Sequence, residues 1–288
     1  MIGALKSEYR KLFSTRMWWV LILCAVAFLT PTAVIMAVVL AAISNEVDGG
    51  EGFSLWMGIQ SGSGGGDATM AMIVYSVCLM MPYIFPVLIG ALSVTQEYRH
   101  KTITPTFLAE PRRAVVMGAK LIAAIPMGLV YGAASLAAVV IPVAVVFIGF
   151  GQPTGLDSWE AWGLFGRSLL AMSIWAVLGV GVGILVHNQV AAIVGVLVFT
   201  QVLEPTLAIG AALAEASMGA GGWTKILNFL PSSAGGSIQA PSFSSMDMGM
   251  GMTDAGGLSW GWAALVLLGW AALLAGSGYL FTWRRDVS

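Results

Sequence analysis

The run MWWVLILCAVAFLTPTAVIMAVVLAAI, residues 17–43, decides the fold. It carries no charged side chain and exceeds the about 20 residues that a helix needs to cross a ~30 Å hydrocarbon core. It lacks the strict alternation of a lipid-facing barrel strand, so it reads as a membrane-spanning helix. Its length also exceeds the 7–15-residue apolar core of a secretory signal, so it is expected to be retained rather than cleaved.

Five more runs of the same kind follow: Met70–Thr95, Val115–Phe150, Ala161–Val186, Val190–Leu213 and Ser259–Trp283. Several are longer than needed, which permits tilt. The third is long enough for its first turns, around Met117–Lys120, to run outside the lipid. The composition agrees: 58% of residues are hydrophobic and 9% charged, against roughly 25% charged in a soluble domain. Mean hydropathy is +0.88. A soluble enzyme, a nucleic-acid binder and a disordered regulator are excluded. The expected fold is an all-α membrane protein, with residues 1–16 as an interfacial helix and residues 17–288 as a six-span domain. No internal repeat suggests the inverted halves of a secondary transporter.

Charge orients the spans. Six crossings put Lys6, Arg10, Lys11, Arg16, Arg99, Lys101, Arg112, Arg113, Lys120, Arg284 and Arg285 on one side, eleven of the 13 basic residues. The opposite loops carry Glu46, Asp48, Glu51, Asp67, Asp157, Glu160, Asp247 and Asp254, with only Arg167 and Lys225 as basic company. Basic loops stay inside, so both termini are expected in the cytoplasm.

Outside the spans, Ile2, Leu5, Tyr9, Leu12 and Phe13 recur near helical spacing, with Lys6, Arg10 and Lys11 off the stripe. That pattern is an amphipathic helix in the interface, serving either as a lipid anchor or as an elbow that touches a cytoplasmic partner. Ser61–Gly66 reads as a flexible linker. The connection 214–258 is too poor in large apolar residues for a domain, although Trp223, Ile226, Leu227, Phe229 and Leu230 suit a short helix on or in the outer surface. Met246, Met248, Met250 and Met252 alternate with small or acidic residues there. Thioethers suit Cu(I), and an unstructured loop is the competing reading.

Little in the chain suggests catalysis. It has no Gly-x-x-x-x-Gly-Lys-Ser/Thr phosphate loop, its two histidines, His100 and His187, are unpaired in sequence, and its two cysteines are isolated. No enzyme activity and no cofactor bound by this chain are expected. One charge stands at membrane depth: Glu204, roughly 21 Å from Val190 along a helix and followed by Pro205. Either it faces a cavity or bundle interior as a candidate on a substrate path, or the helix ends there at the interface. Pro82 and Pro86 in span two and Pro126 and Pro142 in span three suggest helices bent around a cavity. Gly179, Gly181 and Gly183, with Gly128 and Gly132, permit close helix packing.

The most specific segment joins spans two and three. It reads Gln96-Glu97-Tyr98-Arg99-His100-Lys101-Thr102-Ile103-Thr104-Pro105-Thr106-Phe107-Leu108-Ala109-Glu110-Pro111-Arg112-Arg113, and then Lys120-Leu121 opens the next span. Thr104-Pro105 is a helix start, a capping hydroxyl before a proline, and Pro111 limits the helix to about two turns. The result is a short knob on the basic side, shaped for a groove on a soluble partner.

This stretch resembles the corresponding loop of ABC-2 type ABC transporter permeases. There an acidic-basic stretch ends span two, followed by a Gly/Lys-Thr-Ile/Leu step, a short helix, a Pro-Ser/Arg-Arg turn and a Lys-Leu opening of span three. Six spans, internal termini and an elbow helix also fit. Two positions depart: Lys101 stands where glycine is common, and Glu110 where a small or hydroxyl residue is frequent. The resemblance implies a permease subunit in the bacterial cell membrane, paired with a second permease copy, identical or different. A separate ATP-binding subunit would hold ATP and Mg. It implies export of a drug, lipid or peptide antibiotic. It also implies that Glu97, Arg99, Lys101, Pro105, Phe107, Leu108, Arg112 and Arg113 couple to the ATPase, and that the substrate path runs between permease copies, lined mainly by spans two and five, with Glu204 and Pro205 the candidates on it. A membrane scaffold that recruits another partner through the basic loop is the alternative.

The charge asymmetry yields a topology test. A reporter fused at the C-terminus or placed between Arg99 and Arg113 is expected to read as cytoplasmic, and one within Ser61–Gly66 as external. A cytoplasmic signal from the latter site overturns the six-span reading.

Overall fold

The computed structural model describes residues 2–46, 66–218, 222–239 and 258–283. Every regular element among the described residues is helical. Helix α1 (Ile2–Ser14) leads into α2 (Met17–Glu46). Span two joins α3 (Gly66–Met80) to α4 (Ile84–Arg99) through a 3-10 turn at Met81–Tyr83. The short α5 (Ile103–Ala109) precedes α6 (Arg113–Gly149) and α7 (Trp159–Leu185). Span five joins α8 (Gln189–Val198) to α9 (Glu204–Met218) through a π-helical turn at Phe199–Leu203. Then come α10 (Trp223–Leu227), α11 (Pro231–Gln239) and α12 (Trp260–Gly278), which runs into a π turn at Tyr279–Trp283.

Six helical stretches are long and apolar enough to cross a membrane: Met17–Ala42, Met70–Arg99, Arg113–Gly149, Trp159–Leu185, Gln189–Glu215 and Trp260–Phe281. The chain is a multi-pass membrane protein. Helical ends differ from the sequence expectation by a few residues, and one difference matters: span two continues to Arg99, which places Glu97 on the helix itself.

Span four is the axle. It packs against spans two, three and six, and 72% of its most apolar window is buried, against 22% for spans one and five. Small residues make this possible. A Cβ on Gly179 would overlap the Val87 carbonyl, and a Cβ on Gly90 would overlap that of Ala176, so spans two and four meet backbone to backbone. Without a hydrophobic driving force in lipid, such close packing supplies the cohesion. Trp175, Tyr75, Tyr131 and Phe147 fill the wider gaps.

The prolines behave differently in the two spans where interruptions were expected. Span two breaks at the turn containing Pro82, whereas span three is one unbroken helix through Pro126 and Pro142. Proline removes a donor and frees the carbonyl four residues earlier. For Pro142 that carbonyl belongs to Ala138, and it accepts a hydrogen bond from the Thr30 hydroxyl at 3.4 Å. A neighbouring helix supplies what proline withholds.

Overpacking at a close contact typically costs about 1–3 kcal/mol. Gly179→Ala is expected to lower the thermal midpoint of the purified protein markedly. Gly149→Ala, whose Cβ would meet nothing within 4 Å, is expected to leave it unchanged. Equal midpoints for the two variants would refute the backbone-contact account.

Candidate functional site

The basic end of the bundle is built around four charges. Glu8 and Lys11 come from α1, Glu97 from the end of α4, and Lys120 from the third turn of α6. Lys120 Nζ lies 2.8 Å from both Glu8 Oε2 and Glu97 Oε1, and Lys11 Nζ lies 2.9 Å from Glu8 Oε1 and 2.8 Å from Glu97 Oε1. The charges alternate around a closed ring with no net charge. Lys120 is fully buried, with both carboxylates nearly so. Lys120 spends its third proton on the Ser93 carbonyl at 3.4 Å, and Lys11 its third on Thr106 Oγ1 at 3.3 Å. An ammonium has three donors and no acceptor, so each lysine is saturated. Glu97 Oε2 is buried without a partner.

For Lys11, burial works against the charge, but hydrogen bonds to Glu97 and Glu8 and their negative charges prevail. Its pKa is raised above the ordinary lysine value.

The loop that follows is locked by backbone geometry. The Thr102 N–H donates to the Glu97 carbonyl at 2.9 Å and the Lys101 N–H to that of Tyr98 at 3.2 Å. This pair of bonds ends a helix through a left-handed residue, a place that glycine usually takes. Lys101 occupies it with φ of 56°. The position where the resembled family commonly has glycine is therefore the one that needs a positive φ. Helix α5 starts two residues earlier than expected from Thr104-Pro105, with Thr102 rather than Thr104 before it and Ile103 buried in the core. Pro105, the third residue of α5, loses no bond there, because the first turn has no internal acceptors for its N–H groups.

The residues expected at a docking surface divide. Glu97 is turned inward by the two ammoniums. Phe107 is half-buried against the cluster around Ile103 and Val116, with the Arg113 guanidinium 5.2 Å from its ring centroid. Arg99 donates to Gln189 Oε1 at 3.2 Å, tying span two to span five. Tyr98 meets His187 edge-on at 4.4 Å, and burial lowers the pKa of that histidine. Lys101, Pro105 and Arg112 are exposed. Leu108 stands farthest out, 81% exposed. Beside it a groove of about 560 Å³ runs between α1 and α5, bordered by Ser7, Lys11, Thr102, Pro105 and Glu110.

Glu204 does not mark a helix end. Span five continues through α9, and the carboxylate is 4% exposed. Pro205 cannot bond the Gln201 carbonyl, and just before it the helix widens to a π turn whose Glu204 N–H reaches the Phe199 carbonyl. Glu204 Oε2 accepts the Ser232 N–H at 2.8 Å, at the start of α11, while Oε1 is buried without a partner. Helix α11, absent from the sequence reading, folds back against spans four and six. A Cβ on its Gly235 would lie 2.7 Å from Trp175 Nε1. Trp175 stacks on Tyr83 at 4.7 Å, and Gln201 Nε2 donates to the Tyr83 hydroxyl at 3.0 Å. Helix α10 forms where a short helix was expected, with Ile226 exposed. Met246, Met248, Met250 and Met252 lie outside the described residues.

Sequence reasoning missed Glu8 and the pairing role of Lys11 and Lys120. A signal existed: Glu8 is the one acidic residue among four basic ones before the first span, three residues from Lys11, a spacing that pairs charges on a helix. No protein-family model matches this sequence, and no curated protein resembles it at a significant level.

Removing one member of a buried ion pair costs about 3–5 kcal/mol, because a charge is left uncompensated. Lys120→Met is therefore expected to destabilise strongly. Adding Glu8→Gln to Lys120→Met restores a neutral Lys11–Glu97 pair, so the double variant is expected to melt above the single one. Additive losses in the double variant's thermal midpoint would dissolve the ring into independent contacts.

Proposed function

We propose that the chain is the permease subunit of an ATP-driven transporter of the ABC-2 type, exporting a hydrophobic or amphipathic molecule such as a drug, lipid or peptide antibiotic. It works with a second permease copy and with a separate ATP-binding subunit that holds ATP and Mg. It resides in the bacterial cell membrane with both termini in the cytoplasm. One observation carries this reading: the Glu8–Lys11–Glu97–Lys120 ring fastens a short exposed helix to an interfacial helix and to the facing ends of two spans. In this reading α1 is the elbow helix and α5 the coupling helix.

The mechanism follows from that fastening. A push on α5 is delivered to Thr106, and from Thr106 to Lys11 and the ring. Because the ring holds α1, α4 and α6 together, they move as a block rather than separately. The ATPase does work only if it binds the two permease states with different affinity. Leu108 is the contact, Phe107 braces the helix from behind through Arg113, and Arg99, Lys101 and Arg112 surround it with positive charge. Glu204 and Pro205, at the π turn of span five, are the candidates for the substrate path in this reading.

Burying a leucine contributes roughly 1.5–3 kcal/mol. Affinity purification of the tagged chain from its native membranes is expected to recover an ATP-binding protein. Leu108→Glu is expected to lose it, with insertion and thermal midpoint unchanged, because Leu108 is exposed. Recovery of no ATP-binding protein with the wild-type chain would overturn the transporter reading in favour of the scaffold.

A further inference from the structure

Arg167 lies within span four, eight residues from Trp159, which is roughly 12 Å along the helix. Its Nε is buried and has no hydrogen-bond partner, and none of the ion pairs among the described residues includes it. A guanidinium at that depth with a buried, unpartnered nitrogen and no ion pair is costly and by default marks a functional position. Helical side chains point back toward the N-terminus, and Arg167 does: Nη2 lies 4.0 Å from where a Cβ on Gly163 would sit, one turn nearer Trp159. The charged head is thereby lifted to roughly 6 Å below Trp159.

The neighbouring face is shaped for a chain rather than for a helix of this protein. Trp159, Trp162, Gly166 and Leu170 fall on one stripe at spacings of three and four. Trp159 is 86% exposed, Trp162 59% and Leu170 40%. A Cβ on Gly166 would meet nothing within 4 Å, so the stripe has a notch beside the arginine. The Trp162 indole is fixed by donation to the Leu156 carbonyl at 3.0 Å. Exposed tryptophans settle at the level of lipid headgroups. The nearest carboxylates in sequence make no ion pair with the head: neither Glu160, about 5 Å from it along the axis, nor Asp157 before the helix is among the ion pairs of the described residues.

We propose that Arg167 is a phospholipid site: the guanidinium binds the phosphodiester of a lipid at the end of the bundle opposite the basic loop, and one acyl chain lies along the notch at Gly166. A planar fork of N–H donors matches phosphate oxygens bidentately. A phosphodiester is present at that depth on every lipid-facing surface, whereas a carboxylate from another protein would have to be brought there. With the charge placement argued above, this end faces the outer leaflet. The binding itself does not depend on that orientation or on the transporter reading, because no ATPase is needed to observe it.

The test is titration of the purified full-length chain in detergent with phosphatidylglycerol, counting bound lipids by native mass spectrometry. Arg167→Gln is expected to weaken the tightest lipid by about fivefold or more, the scale of one basic side chain at a charged lipid surface. Arg167→Lys, which keeps charge but loses the fork, is expected to fall in between and carries the test if the glutamine variant fails to fold. Glu160→Gln is expected to leave binding intact or strengthen it, and excess inorganic phosphate is expected not to displace the lipid. Unchanged binding in Arg167→Gln overturns the proposal. So does displacement by inorganic phosphate, which marks a free-anion site. Loss of lipid in Glu160→Gln equal to that in Arg167→Gln, or dissociation of a dimer in Arg167→Gln with lipid number unchanged, assigns the charge to a carboxylate instead and likewise overturns it.

Discussion

A buried lysine and two buried glutamates at one end of a membrane bundle have few acceptable arrangements, and the alternating ring that Glu8, Glu97 and Lys120 close with the partly exposed Lys11 is one of them. Desolvating any one of these charges alone would cost several kcal/mol. Each carboxylate is offset by two ammoniums and each ammonium by two carboxylates. The constraint is geometric as well as energetic, since the ring closes only if α1, α4 and α6 are all in place. Helix α1 has little else to hold it: Leu12 packs near Ile89, Met127 and Tyr131, while Lys6, Arg10 and Phe13 face outward. The position of α1 is set chiefly by charge.

A different principle governs the rest of the bundle. Around span four, cohesion comes from backbone approach at Gly179 and Gly90 and from dispersion between shapes that fit. Such contacts are insensitive to charge and tolerate no added atoms. The ring has the opposite character: it is sensitive to any unpaired charge, yet its long side chains accept small shifts.

The six spans were legible because apolar length is a local property, visible in any window of the sequence. The short helix after span two was legible for the same reason, its end through Pro111, although its start lies two residues before the Pro105 that the sequence suggested. The ring was not, since Glu8 and Lys120 are 112 residues apart and nothing in the neighbourhood of either names its partner. Phe107 and Leu108 looked equivalent as adjacent apolar residues on a short helix. Only packing separates them, with Phe107 leaning on Arg113 and Leu108 left in the open. Helix α11 escaped notice because Ser232, Ser233, Gly235 and Gly236 read as a loop by composition. Its burial depends on Gly235 fitting over Trp175 and on Glu204 accepting the Ser232 N–H, both long-range facts.

Glu97 and Tyr83 lie on the same span, on opposite sides of what holds it. Glu97 is fixed in the ring. Tyr83 ends the 3-10 turn that interrupts the span, stacks on Trp175 and accepts a hydrogen bond from Gln201. Gln201 in turn lies within the π turn of span five, one turn before Glu204. The irregular turns of spans two and five are therefore joined by a side-chain hydrogen bond. Irregular turns are where a helix bends at least cost, because their backbone bonds are already displaced from the regular ladder. Tyr83 touches span four through Trp175 as well as span five through Gln201, and α4 itself meets span four backbone to backbone at Val87 and Gly90. Three residues past Gln201, Glu204 accepts the Ser232 N–H at the start of α11. The Tyr83–Trp175 and Tyr83–Gln201 pairs are side-chain contacts that a double-mutant cycle can address.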